Sequence, residues 1–312
     1  MPYLGELISI GVAFSWTIAA LSSEVGSKQL GVAVVNVWRL GAALLLSALL
    51  LFFTLGTPLP AHADCQTWLW LLASGVVGYF FGDWCLFNSY LTIGSRYGQL
   101  FMTLAPMFTA LFAWIFIGQA LSWKALLAMA VTLTGIAVSV LAGTASHHRL
   151  ALSLPLRGIL FGIGAGLGQG AGLVLSKIGL DHYTSVTPPH LLPDIENVLP
   201  FAANMIRCVA GLACFAAWLL ASHKLPQMRA SLGNRRGLAA TFVAVLTGPF
   251  IGVGFSLMAV QHTAAGIAST IMAMTPILIL LPSRWLFHQP ITAKSVVGAV
   301  ISVIGVSLFF LL

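Results

Sequence analysis

Ten stretches of about twenty predominantly apolar residues follow one another along the chain. They lie near 4–24, 35–55, 68–90, 98–118, 124–142, 157–177, 201–221, 238–260, 266–286 and 293–312. About twenty such residues are what an α-helix needs to cross the hydrocarbon of a bilayer. The polar positions collect between them, in connections that are mostly short. Two connections are longer, His182 to Pro200 and His223 to Arg236. The first, HYTSVTPPHLLPDIENVLP, is rich in proline and polar residues and predicts a surface loop. The pattern predicts an all-α integral membrane protein with ten transmembrane helices.

The ten segments divide into two related sets of five. Met102 matches Met272, Pro106 matches Pro276, Gln119 matches Gln289, Lys124 matches Lys294 and Gly135 matches Gly305, all at one offset. The same offset sets Phe80 and Gly82 on Phe250 and Gly252, and Arg39 pairs with Arg207 at a similar one. Five spans per repeat is an odd number, so the second repeat enters the membrane upside down. A 5+5 inverted repeat of this kind belongs to secondary transporters. The expected units are 1–142 for the first repeat, 143–156 for a connecting loop and 157–312 for the second.

Composition sharpens this picture. Of 312 residues, 59% are hydrophobic and 7% charged, against about 25% charged in a soluble domain. The formal net charge is +7, but no basic run carries interleaved aromatics. The lipid bilayer is therefore an expected partner and nucleic acid is not. Of the 14 Lys and Arg, all but Lys124, Lys177 and Arg207 fall on the side of the odd-numbered connections. The positive-inside rule then places those connections in the cytoplasm and both termini outside. The opening MPYLGELISIGVAF has no basic n-region and no small-residue cleavage site, so it reads as a retained first helix. Cys65, Cys85, Cys208 and Cys214 form no C-x-x-C pair, and no metal site is expected.

The repeated pattern resembles a known family. A proline in the fourth helix, an apolar stretch, a short turn ("GQ-x-L-S" or "HQ-P-I-T") and a glycine-bearing last helix are similar to the EamA-type modules of the drug/metabolite transporter superfamily. The resemblance covers essentially the whole chain as two tandem modules. It implies a transporter of small organic metabolites such as amino acids, working in export from the cell (inner) membrane. Eukaryotic members are drawn with cytoplasmic termini, the opposite of the charge count here. The family's usual turn is Gly-Glu. Gln119 and Gln289 stand in its place, so no role of that glutamate is carried over.

A charge at the centre of a membrane helix costs about 2.5–3.5 kcal/mol on insertion scales, so each one asks for a reason. Asp83, in GYFFGDWCLFNSY, is the one acidic residue near the middle of an apolar segment. It reads either as a substrate or proton site facing a central cavity, or as half of a structural ion pair. Tyr79, Trp84 and Asn88 lie on the same or adjacent helical faces. Arg39 and Arg207 sit near the starts of equivalent helices and are expected to snorkel to an interface, with anion binding as the alternative. Glu24 is expected at a polar helix end, and His262 in a turn at the membrane surface. Aligning Gly5 on Gly158 and Gly11 on Gly164 sets Trp16 against Gln169. In the superfamily the first, third and fourth helices of each half are thought to line the path. On that resemblance Trp16, Asp83 and Gln169 share one cavity.

Two further features bear on the helices themselves. Pro106 and Pro276 lie inside apolar segments and predict kinks, either as hinges or as static curvature. GIGAGLGQGAG fits G-x-G-x-x-G/A in letters, but no strand precedes it, so a dinucleotide turn is rejected. Its glycines form two series four residues apart, Gly162, Gly166, Gly170 and Gly164, Gly168, Gly172. Such series let neighbouring backbones approach closely, and they predict a helix wedged between two others.

No catalytic grouping, H-E-x-x-H or phosphate-binding lysine motif is present, and the protein is not expected to be an enzyme. A small-molecule substrate is the expected partner and no cofactor is expected, with proton coupling assigned to Asp83. The oligomeric state is open between monomer and homodimer. Two other readings stand beside transport. One is a membrane enzyme acting on lipid or isoprenoid substrates, for which His147, His148, Asp181, His182, His190, Asp194 and Glu196 are the only ligand candidates. The other is a non-transporting sensor or scaffold.

Overall fold

The structure, a computed structural model, describes residues 3–118, 122–140, 154–195, 198–262, 271–272, 274–288 and 291–311. Among these residues the secondary structure is helical throughout. Helix α1 (Leu4–Leu30) and helix α2 (Val32–Leu55) are joined by Gly31 alone, at φ 82°. A Cβ is disfavoured at that φ, so a one-residue reversal falls on glycine. Helix α3 (Cys65–Ser74) starts on the Asp64 carboxylate, which accepts from the Thr67 backbone N–H at 2.8 Å. It passes through a π-helical stretch, Gly75–Gly82, into α4 (Asp83–Met102).

The chain turns back within α4 at Gly94 (φ 82°, ψ 158°). Packing against α7 (Leu156–Val186) shows the reversal. Gly168 meets Gly82 and Gly158 meets Ile93, whereas Gly162 meets Phe101 and Gly170 meets Phe108. Residues before Gly94 thus run against α7 and residues after it run along α7. Next come α5 (Ala105–Ile117) and α6 (Trp123–Val140). Beyond α7 follow α8 (Leu192–Ile195), α9 (Leu199–Ala221), α10 (Leu225–Ser231) and α11 (Arg235–Val245). A second π-helical stretch, Leu246–Phe250, leads into α12 (Ile251–His262). The chain closes with α13 (Thr275–Leu278), α14 (Leu280–Phe287) and α15 (Ala293–Leu311).

Among the described residues six helical runs are long and apolar enough to cross a membrane, the longest being Cys65–Met102 and Leu156–Val186. Large apolar side chains face outward. Phe14, Leu45, Phe53, Leu69, Leu160 and Leu173 are each more than half exposed, which suits a surface solvated by lipid. The interior holds small and polar residues beside Val35, Leu40, Phe215 and Ile279.

The contacts are reciprocal. Helix α1 packs antiparallel on α11 and α12, with Gly26 at Thr241 and Trp16 at Gly252, while α7 packs antiparallel on α3 and the first π-helical stretch. Helix α2 packs on α9, and α6 packs on α15. In the last pair Gly135 meets Ser302, Gly305 meets Thr132 and Gly298 meets Ser139. As one index rises the other falls, so these helices are antiparallel. The two π-helical stretches also stand at matched places, with Gly82 of the first aligned to Gly252 just past the second.

Several boundaries differ from the pattern in the sequence. Helix α1 runs six residues past position 24, because the polar Ser27–Lys28–Gln29 turn still hydrogen-bonds as helix up to the Gly31 cap. The expected loop from His182 to Pro200 is shorter, since α7 continues to Val186 and α8 occupies part of the rest. Pro106 and Pro276 stand in the first turn of α5 and α13, not in helix interiors. Proline has no N–H to continue a preceding helix, so α4 ends at Met102 and the next helix begins around the proline. Gln119 and Gln289 lie outside the described residues, as do His147 and His148.

Candidate functional site

Asp83 is the first residue after the π-helical stretch and is 4% exposed. Pi-helical turns recur at functional sites because the extra residue swings the following side chains onto a new face. The Asp83 carboxylate takes two partners. Its Oδ2 is ion-paired with Arg39 Nη2. Its Oδ1 accepts from Gln169 Nε2 at 2.9 Å, and the same amide nitrogen reaches the Gly78 carbonyl at 3.3 Å. Arg39, 7% exposed, also donates to Asn36 Oδ1 from Nε (3.3 Å) and Nη2 (3.1 Å). Its guanidinium lies 5.0 Å from the Phe87 ring centroid.

A second arm adjoins the first. Tyr79 donates its hydroxyl proton to Asn204 Oδ1, and Asn204 Nδ2 donates to the Pro249 carbonyl at 3.3 Å. The Tyr79 ring lies under two cations, with the Arg207 guanidinium 4.6 Å and that of Arg39 5.8 Å from its centroid. Side chains from α2, the first π-helical stretch, α4, α7 and α9 therefore converge on one buried polar cluster, which reaches the second π-helical stretch through Pro249. Partners from both halves of the chain hold it together.

The glycines of α7 make this convergence sterically feasible. A Cβ on Gly168 would lie 2.6 Å from the Gly82 Cα, and one on Gly172 would lie 2.8 Å from the Gly78 Cα. On the other face, Gly162, Gly166 and Gly170 meet Phe101, Leu104 and Phe108. Gly164 meets Cys85. One series thus seats α7 on the π-helical stretch and α4, and the other on the far arm of α4 and on α5. Gln169 lies between them, where it reaches Asp83.

The sequence profile of the EamA-like transporter family matches residues 3–141 and 190–311. The chain belongs to the EamA-like transporter family. It is a transporter of the drug/metabolite type and an integral, multi-pass membrane protein. A solved structure described only as "Crystal structure of protein" has a TM-score of 0.56 to this chain at 16% identity, covering 98% of this chain and 96% of that one. At that identity the likeness concerns the fold alone. Among curated protein sequences none matches the chain.

Other candidate residues of this EamA-like chain are placed as follows. Trp84 stands edge-on to Phe161 and Trp218. Asn88 donates to the Trp84 carbonyl of its own helix at 2.7 Å. Trp16 lies over Gly252 and packs with Val12, Ala259 and Met272. Among the described contacts none joins it to Asp83. Gln169 and Trp16 nevertheless occupy matched places, each lying on a matched glycine, Gly82 or Gly252.

The interfacial reading of Arg39 is overturned, because burial beside Asp83 gives its charge a partner that lipid headgroups would otherwise supply. Arg207 likewise turns inward, over Tyr79. Glu24 is fully buried, not at a wet helix end. It pairs with Lys28, and its Oε2 accepts from the Ser95 N–H at 2.6 Å. Asp181 pairs with Lys177 and His182 with Asp64. The side chains of Asp194, Glu196 and His262 lie outside what the structure describes. Asn36 and Asn204 escaped the sequence reading. Their signal was positional, since each stands three residues before one of the matched arginines, Arg39 and Arg207.

Proposed function

We propose that the protein is a secondary transporter of small organic metabolites, exporting solutes such as amino acids across the cell (inner) membrane by alternating access around a cavity at mid-membrane. The transport unit is a ten-span bundle of two inverted five-helix repeats, 1–142 and 157–312, linked by 143–156. The antiparallel, reciprocal packing of α6 on α15 supports that arrangement. The observation that carries the proposal is the cluster of Asp83, Arg39 and Gln169. A rearrangement of one half against the other changes the partners of a buried charge, and such charges mark substrate and ion pathways in membrane proteins. Proton coupling is assigned to Asp83.

Purified protein reconstituted in proteoliposomes is expected to exchange labelled solute from a panel of amino acids and organic acids. A monodisperse preparation that exchanges none of them overturns the transport reading. Asp83→Asn is expected to abolish uptake driven by a pH gradient while leaving solute exchange measurable. Gradient-driven uptake that survives the substitution removes Asp83 from the coupling step.

A further inference from the structure

The charges of the buried cluster do not balance. Asp83 contributes one negative charge, and both of its oxygens are engaged, one by Arg39 and one by Gln169. The other buried carboxylate of the first half, Glu24, is taken by Lys28 and the Ser95 N–H. That leaves Arg207, which is charged at any working pH. Its guanidinium is held over the Tyr79 ring at 4.6 Å, and Nη2 lies 3.2 Å from where a Gly78 Cβ would stand. Its Nε is buried and unpartnered. Among the described residues the Arg207 side chain has no hydrogen-bond acceptor and no ion-pair partner.

An aromatic face attracts a cation but accepts none of its N–H groups in the way an oxygen does. The Arg207 side chain is partly exposed, but its Nε–H is buried without an acceptor, and an unmet buried donor costs free energy that an incoming anion recovers. Resting on the transporter reading above, we propose that Arg207 is the anchor for an anionic group of the substrate, and that the substrate class is small monocarboxylates, amino acids included. The guanidinium fork matches a carboxylate in geometry. The excess of one positive charge matches a single negative charge. A phosphate monoester carries about 1.5–2 negative charges near neutral pH and overfills the site. Tyr79 and Asn204, joined by a hydrogen bond, stand beside the anchor.

The test uses the full-length protein in nanodiscs of neutral lipid. Thermal stabilisation is titrated with carboxylate solutes, with the corresponding primary amides, with inorganic phosphate and with chloride, for wild type, Arg207→Gln and Arg207→Lys. Carboxylates are expected to stabilise the wild type where their amides do not. Half-saturation is expected to weaken about tenfold or more in Arg207→Gln and to be intermediate in Arg207→Lys. Equal effects of acid and amide, equal affinity in both variants and wild type, or saturation by chloride or phosphate alone would each overturn the proposal. Should Arg207→Gln not fold, the acid–amide comparison in wild type and the Arg207→Lys titration decide the matter. Solute exchange in proteoliposomes separates the two claims. Exchange of neutral or cationic solutes, unaffected by Arg207→Lys, preserves transport and removes the anchor. Carboxylate binding sensitive to Arg207, without exchange of any solute, preserves the anchor and removes transport.

Discussion

Asp83 and Arg39 illustrate how a single buried pair sets the chemistry around it. Each is nearly inaccessible and each satisfies the other. Removing one partner strands the other charge in a low-dielectric interior, which costs about 3–5 kcal/mol for buried pairs. Arg39→Ala and Asp83→Ala are each expected to lower stability by that order in denaturant or thermal unfolding. The double variant is expected to lose less than the sum, and strict additivity of the two would show that the pair is not coupled. Asp64, at the opposite extreme of exposure, titrates. Hydrogen bonds from Thr67 and His182 hold its pKa down at about 2, below the ordinary value of about 3.9. The folded state therefore prefers the carboxylate. Its stabilising effect is complete above about pH 4 and is lost as pH falls toward 2. Protection of the backbone amides at the start of α3, taken relative to intrinsic exchange at each pH, is expected to fall over that window in the wild type and to stay constant in Asp64→Ala. At this scale the sequence exposed Asp83 as an anomaly but hid its partner. Nothing local in VVNVWRL distinguishes an arginine reaching inward from one reaching a headgroup, and the distinction depends on which helix lies across from it.

Helix α7 shows what an element contributes. Its glycines let α4 and the π-helical stretch approach on one side and α5 on the other, so the helix is held by backbone contact more than by side-chain interdigitation. A methyl group on Gly168 would lie 2.6 Å from the Gly82 Cα and 2.9 Å from its nitrogen. Neither is the end of a flexible side chain, so two backbones must separate and Gln169 moves with them. Gly168→Ala is expected to destabilise the fold by about 1–3 kcal/mol and to weaken solute exchange in proportion to the displacement of Gln169. Gly11→Ala on α1, where nothing lies within 4 Å of the added atom, is expected to be neutral or to stabilise by up to about 1 kcal/mol through helix propensity. Melting temperatures of the two variants in one detergent make the comparison, and equal shifts would overturn the packing argument. The spacing in GIGAGLGQGAG made two small-residue faces visible in advance. The identity of the facing helices was not visible, because residue spacing on one helix carries no information about its neighbours. The two π-helical stretches were equally hidden, since an i→i+5 turn leaves no compositional mark in a segment that is apolar throughout.

For the whole molecule, the contacts fix which connections share a side of the membrane. The α2–α3 connection meets the end of α7, through Asp64 with His182 and the Ala61 carbonyl with the Tyr183 hydroxyl. The α1–α2 turn meets the α10–α11 connection, through Gln29 with Asn234. Helix α2 joins these two faces, so they lie on opposite sides. Cys65, free and exposed, reports the first face. The second carries Lys28, Lys224, Arg229, Arg235 and Arg236, the excess of cations that the positive-inside rule assigns to the cytoplasm. An impermeant maleimide added to intact cells is therefore expected to label Cys65 in the wild type. In a Cys65→Ser background it is expected to label Ser185→Cys, whereas Leu232→Cys, 62% exposed in the wild-type side chain, is expected to react only after permeabilisation. Reaction of Cys65 and Leu232→Cys from the same side would contradict the topology itself. The reverse sidedness would leave the topology standing and invert the orientation. That last inversion is the one the sequence is least able to decide, because two halves related by a reciprocal contact such as Gly135 with Ser302 and Gly305 with Thr132 pack equally well either way up. Only the surface charges, which take no part in that packing, distinguish the two faces.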